Sequence, residues 1–183
     1  MSGGRVTLTR EGAVAQVVFD RPEARNAMTW TMYAQLSDIC SALRGDTSVR
    51  LVTFRGAGNA AFVAGTDIEQ FATFKSGEDG IAYEQKIEAC VAAFEMLPMP
   101  TLAIVEGWAV GGGLILAAAC DFRIASSSAR FGVPIAKTLG NCLSVANNLP
   151  DDHDLIRRCY GSEDFQEGVR AFVAKQSPVW TGR

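Results

Sequence analysis

Three consecutive glycines, Gly111-Gly112-Gly113, stand between an apolar run and an alanine-rich run in Thr101 to Asp121, TLAIVEGWAVGGGLILAAACD. Glycine permits φ > 0 and lets another group approach the backbone with no Cβ in the way. The first peptide N–H groups of a following helix have no partner inside it and lie at the positive end of its dipole. Such a turn can hold an anion, or an oxygen that becomes one during a reaction. The competing reading is that the glycines only let a helix pack closely on a sheet. A second small-residue turn, Ala64-Gly65-Thr66, lies within residues 60 to 71, AAFVAGTDIEQF, with Asp67 placed to cap a helix. Two turns of this kind could aim two N–H groups at one point.

Other chemistries fit less well. No Lys-Ser/Thr follows the triple glycine and no G-x-G-x-x-G with a later acid is present, so neither phosphate-binding signature applies. His153, the single histidine, sits in the polar run Asp151-Asp152-His153-Asp154, where a solvated imidazole is the default and a Ser-His-Asp triad is not expected. No set of His, Cys and carboxylates has metal-ligand spacing, so no metal is expected.

The elements that must position the turns follow from periodicity. Arg5 to Thr9 and Ala13 to Phe19 read as a hairpin around Glu11-Gly12. Thr29 can cap a helix to about Leu43, with Met32, Leu36, Ile39, Cys40 and Leu43 on one face. Arg50 to Arg55 reads as a strand, Asp67 to Phe74 as a short helix, and Lys75 to Gly80 as a flexible polar stretch. Ile81 to Leu97 reads as a long helix stopped by Pro98 and Pro100. Thr101 to Val105 is a buried strand, and Gly107 to Gly113 is a turn. Leu114 to Cys120, apolar on every face, is a buried helix, and Phe122 to Ala125 is a further strand. Strands alternating with helices predict crossover units and an α/β fold with a largely parallel sheet.

The chain has 183 residues, 48% of them hydrophobic, which suffices for one sizeable core. A net charge of -3 without a basic stripe argues against nucleic acid as a partner. The five cysteines are scattered, odd in number and form no CxxC pair, which fits reduced thiols in a cytosol-like compartment. MSGGRVTLTREG lacks the apolar core of a signal peptide, and no run approaches the roughly 20 apolar residues that span a bilayer. The expectation is a cytoplasmic protein without a membrane partner.

Several segments together resemble the crotonase (enoyl-CoA hydratase/isomerase) superfamily. They are Asp20-Arg21-Pro22-Glu23-Ala24-Arg25-Asn26-Ala27, Phe62-Val63-Ala64-Gly65-Thr66-Asp67-Ile68, Glu106-Gly107-Trp108-Ala109-Val110-Gly111-Gly112-Gly113, Cys120-Asp121-Phe122-Arg123-Ile124-Ala125 and Arg130-Phe131-Gly132-Val133-Pro134. The resemblance implies a spiral of repeated ββα units with surrounding helices. It also implies an oxyanion hole for an acyl-CoA thioester carbonyl, with donors at Thr66 and Gly112. The CoA adenine and phosphates would lie along Arg25, Asn26 and Ala27 and the backbone at Ala64, although Arg25 read alone is an ordinary surface charge. Gly65, Asp67, Ile68 and Gly111 complete the implied substrate contacts. No cofactor is implied beyond the CoA of the substrate, and the implied assembly is a homotrimer or a dimer of trimers.

The chain departs from the pattern at the acid and base. Hydratases of the family use two glutamates, which by the resemblance would fall at Ile115 and Ile135, and an aliphatic side chain cannot shuttle a proton. Lys137, Thr138, Asn141 and Cys142 follow the second position, with Asn141 the candidate to hold a water or a substrate polar group. Asp67, Glu69 and Tyr83 are the other polar candidates. The expected activity is that of an enoyl-CoA hydratase/isomerase family lyase or isomerase of fatty acid metabolism. The alternatives are a hydrolase or decarboxylase with another base, or a non-catalytic acyl-CoA binder. Residues 1–149 read as the crotonase-like core and 161–183 as a C-terminal helix and tail, with Ser162 as N-cap of a helix to Lys175. At the junction 150–160 the family carries further helices, so either those helices are deleted here or residues are missing between Pro150 and Asp151; the second is the expectation.

Overall fold

The computed structural model describes residues 3–133 and 153–183, which fall into two compact units: residues 3–66 with 89–133, and residues 67–88 with 153–183.

In the first unit, β1 (Arg5–Glu11) and β2 (Val14–Asp20) form the expected antiparallel hairpin. Strands β3 (Leu51–Gly56), β5 (Thr101–Val105) and β7 (Phe122–Ala125) then add in parallel, in the order β1-β2-β3-β5-β7. A second, parallel sheet has the order β4-β6-β8, made of Ala61–Ala64, Trp108–Val110 and Arg130–Gly132. Its existence corrects the reading of Gly107 to Gly113 as one turn, since Trp108–Val110 is a strand paired on both sides. The core between the elements holds Phe19, Phe54, Phe62 and Phe94, all fully buried. Phe54 and Phe94 stand with ring centroids 4.2 Å apart, and Phe19 meets Phe62 edge-on at 5.4 Å.

Helix α1 (Trp30–Arg44) starts where Thr29 caps it by accepting from the Met32 N–H. Its buried face carries Met32, Tyr33, Leu36, Cys40 and Leu43, while Ile39 is only half-buried. Helix α2 (Gly77–Glu95) contributes its C-terminal part to this unit. It begins four residues before the expected start at Ile81 because the Asp79 carboxylate accepts from the N–H groups of Lys75 and Ser76, at 2.8 and 2.9 Å, and so organises the first turn. Those hydrogen bonds hold the Asp79 carboxyl below its ordinary range.

Helix α3 (Gly112–Ala119) is fastened at its far end. Arg123 donates to the carbonyls of Ala117, Ala118 and Cys120, which places a cation at the negative end of the helix. The Asp121 carboxylate accepts from the Thr101 hydroxyl and N–H, each at 2.8 Å, which ties the end of α3 to the start of β5 and keeps this carboxyl below its ordinary range. The expectation of a helix buried on every face does not hold, because only Gly113, Leu116 and Ala117 are buried and Ile115 is 48% exposed. An apolar composition marked the helix but could not say which face the sheet would cover.

The second unit contains a 3₁₀ segment over Ile68–Thr73, the N-terminal part of α2, α4 (His153–Tyr160) and α5 (Glu163–Ala174). Phe71, Phe74, Tyr83, Tyr160 and Phe165 form its aromatic core, with Tyr160 and Phe165 at 4.8 Å. The Tyr160 hydroxyl donates to Glu84 at 2.7 Å, and burial together with that carboxylate pushes its pKa well above the usual range. Ser162 caps α5 as expected, accepting from the Phe165 N–H at 3.0 Å. His153 opens α4 and is half-buried.

Candidate active site

Both glycine turns lie in the first unit. The first turn follows β4 and is bound to the loop at residues 20–29. Ala64 N–H donates to the Arg25 carbonyl at 3.1 Å, and Met28 N–H donates to the Gly65 carbonyl at 2.8 Å. Thr66 then forms an isolated parallel bridge with Met28. The loop keeps its shape through Asn26, which is fully buried with a φ of 58°. Its Oδ1 accepts from Arg21 N–H at 2.9 Å, and its Nδ2 donates to the carbonyls of Ala57 and Ala61 at 3.0 and 2.8 Å. A buried amide with its hydrogen bonds satisfied fixes backbone geometry because any displacement would leave a polar group unpaired. Arg25 beside it is exposed and also left-handed, with a φ of 51°.

The second turn follows β6, which runs parallel to β4 with Val110 opposite Ala64. That register brings the ends of the two strands side by side. Gly111, at φ 52° and ψ -124°, adopts a backbone conformation that side chains disfavour, and its N–H donates to the Gly132 carbonyl of β8 at 3.0 Å. Its Cβ position lies 3.8 Å from the Gly65 Cα, so the turns are in van der Waals reach of one another. Gly113 serves the packing role, since a Cβ there would overlap the Val63 carbonyl. The packing reading of the triple glycine thus applies at Gly113.

Gly112 is the first residue of α3, and among the described residues no carbonyl accepts its N–H. A Cβ at Gly112 would stand 3.0 Å from the Tyr33 hydroxyl and 3.7 Å from the Thr66 Oγ1. Tyr33 and Thr66 are joined by a hydrogen bond of 2.8 Å between their hydroxyls. A phenol from α1 thus hydrogen-bonds the first turn and lies beside the second. Helical periodicity marks Tyr33 only as one more buried position, and no spacing in the sequence connects it to Thr66.

Ile115 lies three residues into α3, where its exposed side chain offers no titratable atom. Cys120 at the end of the helix is buried, which pushes its thiol up to about 12 and leaves it inert as a nucleophile. Asp67 and Ile68 belong to the second unit. Asp67 accepts from the Glu69 N–H at 3.1 Å and caps the 3₁₀ segment, while Ile68 lines an apolar cavity of about 450 Å³ with Phe71, Phe165 and Trp180. Ile135 and Asn141, like Lys137, Thr138 and Cys142, lie outside the described residues. Among the described residues no helix is long and apolar enough to cross a membrane, and no group of three His, Cys, Asp or Glu side chains is placed to hold a metal.

Parallel strands that deliver two glycine turns to one place, one of them opening a helix, define an α/β scaffold of the crotonase type. The chain belongs to the enoyl-CoA hydratase/isomerase family, whose sequence model matches residues 9–142. It is 37% identical over 120 residues to the mitochondrial enoyl-CoA hydratase domain-containing protein 2 of Bos taurus, covering 66% of this chain and 40% of that protein. It is also 37% identical over 134 residues to the short-chain-enoyl-CoA hydratase of Clostridium acetobutylicum, covering 73% of this chain and 51% of that one. The crystal structure of an enoyl-CoA hydratase/carnithine racemase from Magnetospirillum magneticum superposes with a TM-score of 0.69 at 25% identity, over 97% of this chain and 96% of that chain. The chain spans about half the length of the curated relatives it matches.

Proposed function

We propose that the protein binds an acyl-CoA thioester and polarises its carbonyl with the backbone N–H groups of Thr66 and Gly112. The observation that carries this reading is the parallel pairing of β4 with β6, which sets the Ala64-Gly65-Thr66 turn against Gly111 and Gly112. The N–H of Gly112 adds the positive end of the α3 dipole. Two such donors stabilise the negative charge that gathers on the thioester oxygen as an enolate forms at Cα, and each contributes a few kcal/mol to the transition state. The loop at residues 20–29 carries Arg25 and Ala27 next to the first turn and serves the CoA moiety, with the backbone of Ala64, Gly65 and Gly111 around the acyl thioester.

Proton transfer does not come from Ile115. An enzyme of this type then draws its base from another side chain, and the reaction is a hydration, isomerisation, hydrolysis or decarboxylation of the bound acyl group. A second reading, an acyl-CoA binder without turnover, is favoured by the aliphatic Ile115 in the turn that opens α3. The assembly proposed with either reading is a homotrimer or a dimer of such trimers.

Isothermal calorimetry with CoA and with short acyl-CoAs tests the shared part of both readings. Dissociation constants in the micromolar range are expected, with the acyl thioester bound more tightly than CoA. No binding of either at millimolar concentration would remove acyl-CoA as the ligand.

A further inference from the structure

We infer that Tyr33 is a positioning residue for the N–H donors: its hydroxyl, hydrogen-bonded to Thr66 beside Gly112, holds the first turn in its orientation next to the second. The inference rests on the acyl-thioester reading above. Tyr33 projects from α1, is 5% exposed, and hydrogen-bonds the Thr66 Oγ1 at 2.8 Å. The same oxygen stands 3.0 Å from the Cβ position of Gly112. One atom therefore makes a directional contact to the first turn and occupies the space beside the second that a side chain at Gly112 would need.

The base of this contact is firm. Tyr33 N–H donates to the Thr29 carbonyl at 3.0 Å, and the Cys90 thiol from α2 approaches the Tyr33 carbonyl at 3.7 Å. A buried phenol behaves as an apolar body with a polar tip that needs a partner. Here the partner sits on the turn whose N–H is to be aimed. A phenylalanine would fill the same core volume but withdraw the hydrogen bond to Thr66, so the hydroxyl adds orientation where the ring supplies packing. Donor placement matters because misplacement by about 1 Å is enough to degrade an organised site.

The test uses 4-dimethylaminocinnamoyl-CoA, a conjugated thioester whose absorption moves to longer wavelength when its carbonyl is polarised. Wild-type protein is expected to shift the bound probe to the red. Tyr33→Phe is expected to bind free CoA unchanged, to bind the probe about fivefold more weakly, as for one lost hydrogen bond, and to shift it less. Loss of packing alone would not separate the probe from CoA in this way. Thr66→Ala removes the other hydroxyl without touching the core and carries the same test should Tyr33→Phe not fold, and the double variant is expected to be no worse than either single one. A red shift in either variant equal to the wild type would overturn the inference. No red shift in the wild type would instead remove the thioester reading, and the inference with it.

Discussion

At saturating crotonyl-CoA the purified protein is expected to hydrate the double bond at least about a thousandfold more slowly than a competent hydratase. Addition of water across an enoyl thioester needs one group to take a proton from water and another to deliver one to Cα. Each such group typically contributes about 10²–10⁴-fold. In the positions where the resemblance places them, this chain carries Ile115 and Ile135. On the proposed reading the donors at Thr66 and Gly112 would still stabilise the enolate, so the loss would fall on proton transfer and leave binding intact. The disappearance of enoyl-thioester absorbance measures the rate. Ile115→Glu together with Ile135→Glu is expected to recover part of it, because Ile115 is 48% exposed and a carboxylate there can ionise. Desolvation beneath a bound acyl chain raises the carboxyl pKa and limits the gain. Unmutated protein turning over at ordinary hydratase rates would show that other side chains do the acid–base work.

The second large effect is expected at Gly112. Gly112→Val places a Cβ 3.0 Å from the Tyr33 hydroxyl and 3.7 Å from Thr66 Oγ1, and its methyl groups reach into the space before the N–H. Tyr33 is pinned by its hydrogen bond to Thr66 and is nearly fully buried, so it cannot move aside without breaking that contact. The variant is therefore expected to lose the preference for acyl-CoA over CoA by about ten- to a hundredfold, the equivalent of a hydrogen bond to a charged group. Affinity for CoA itself is expected to change little, since the loop at residues 20–29 is untouched. Calorimetry with both ligands, on samples shown by thermal unfolding to be folded, reads the difference. Equal acyl preference in the variant and the wild type would mean that the thioester binds elsewhere.

Much of the scaffold was legible because local signals agreed with the tertiary outcome. The Thr29 cap, the 3.6-residue period of α1, the β-branched run Thr101–Val105 and the Ser162 cap each specify an element without help from distant residues. The turns at Ala64-Gly65-Thr66 and Gly111-Gly112-Gly113 were legible as backbone devices for the same reason. What failed depends on partners far along the chain. Trp108–Val110 is a strand only because β4 and β8 pair with it on either side, and three residues between glycines carry no strand period of their own. The early start of α2 is the exception, since it rests on a local contact in which the Asp79 carboxylate reaches back to the N–H groups of Lys75 and Ser76. Tyr33 was invisible as a site residue because its contact with Thr66 spans thirty-three positions of sequence. Asn26 was visible only as part of a motif, and its role as the buried anchor of the loop emerges from three backbone partners that no local pattern predicts.

The claim at the centre of this account is that two backbone N–H groups grip a thioester oxygen, and the carbonyl stretch of a bound ligand reports on that grip directly. Butyryl-CoA labelled with ¹³C at the thioester carbonyl, compared with unlabelled ligand by difference infrared spectroscopy, isolates the one vibration of interest. Hydrogen bonds from Thr66 and Gly112 weaken the C=O bond, so the band of the bound ligand is expected at lower wavenumber than in water and back towards the solution value in Gly112→Val. A bound ligand whose carbonyl band in the wild type lies at or above its position in water would contradict the account.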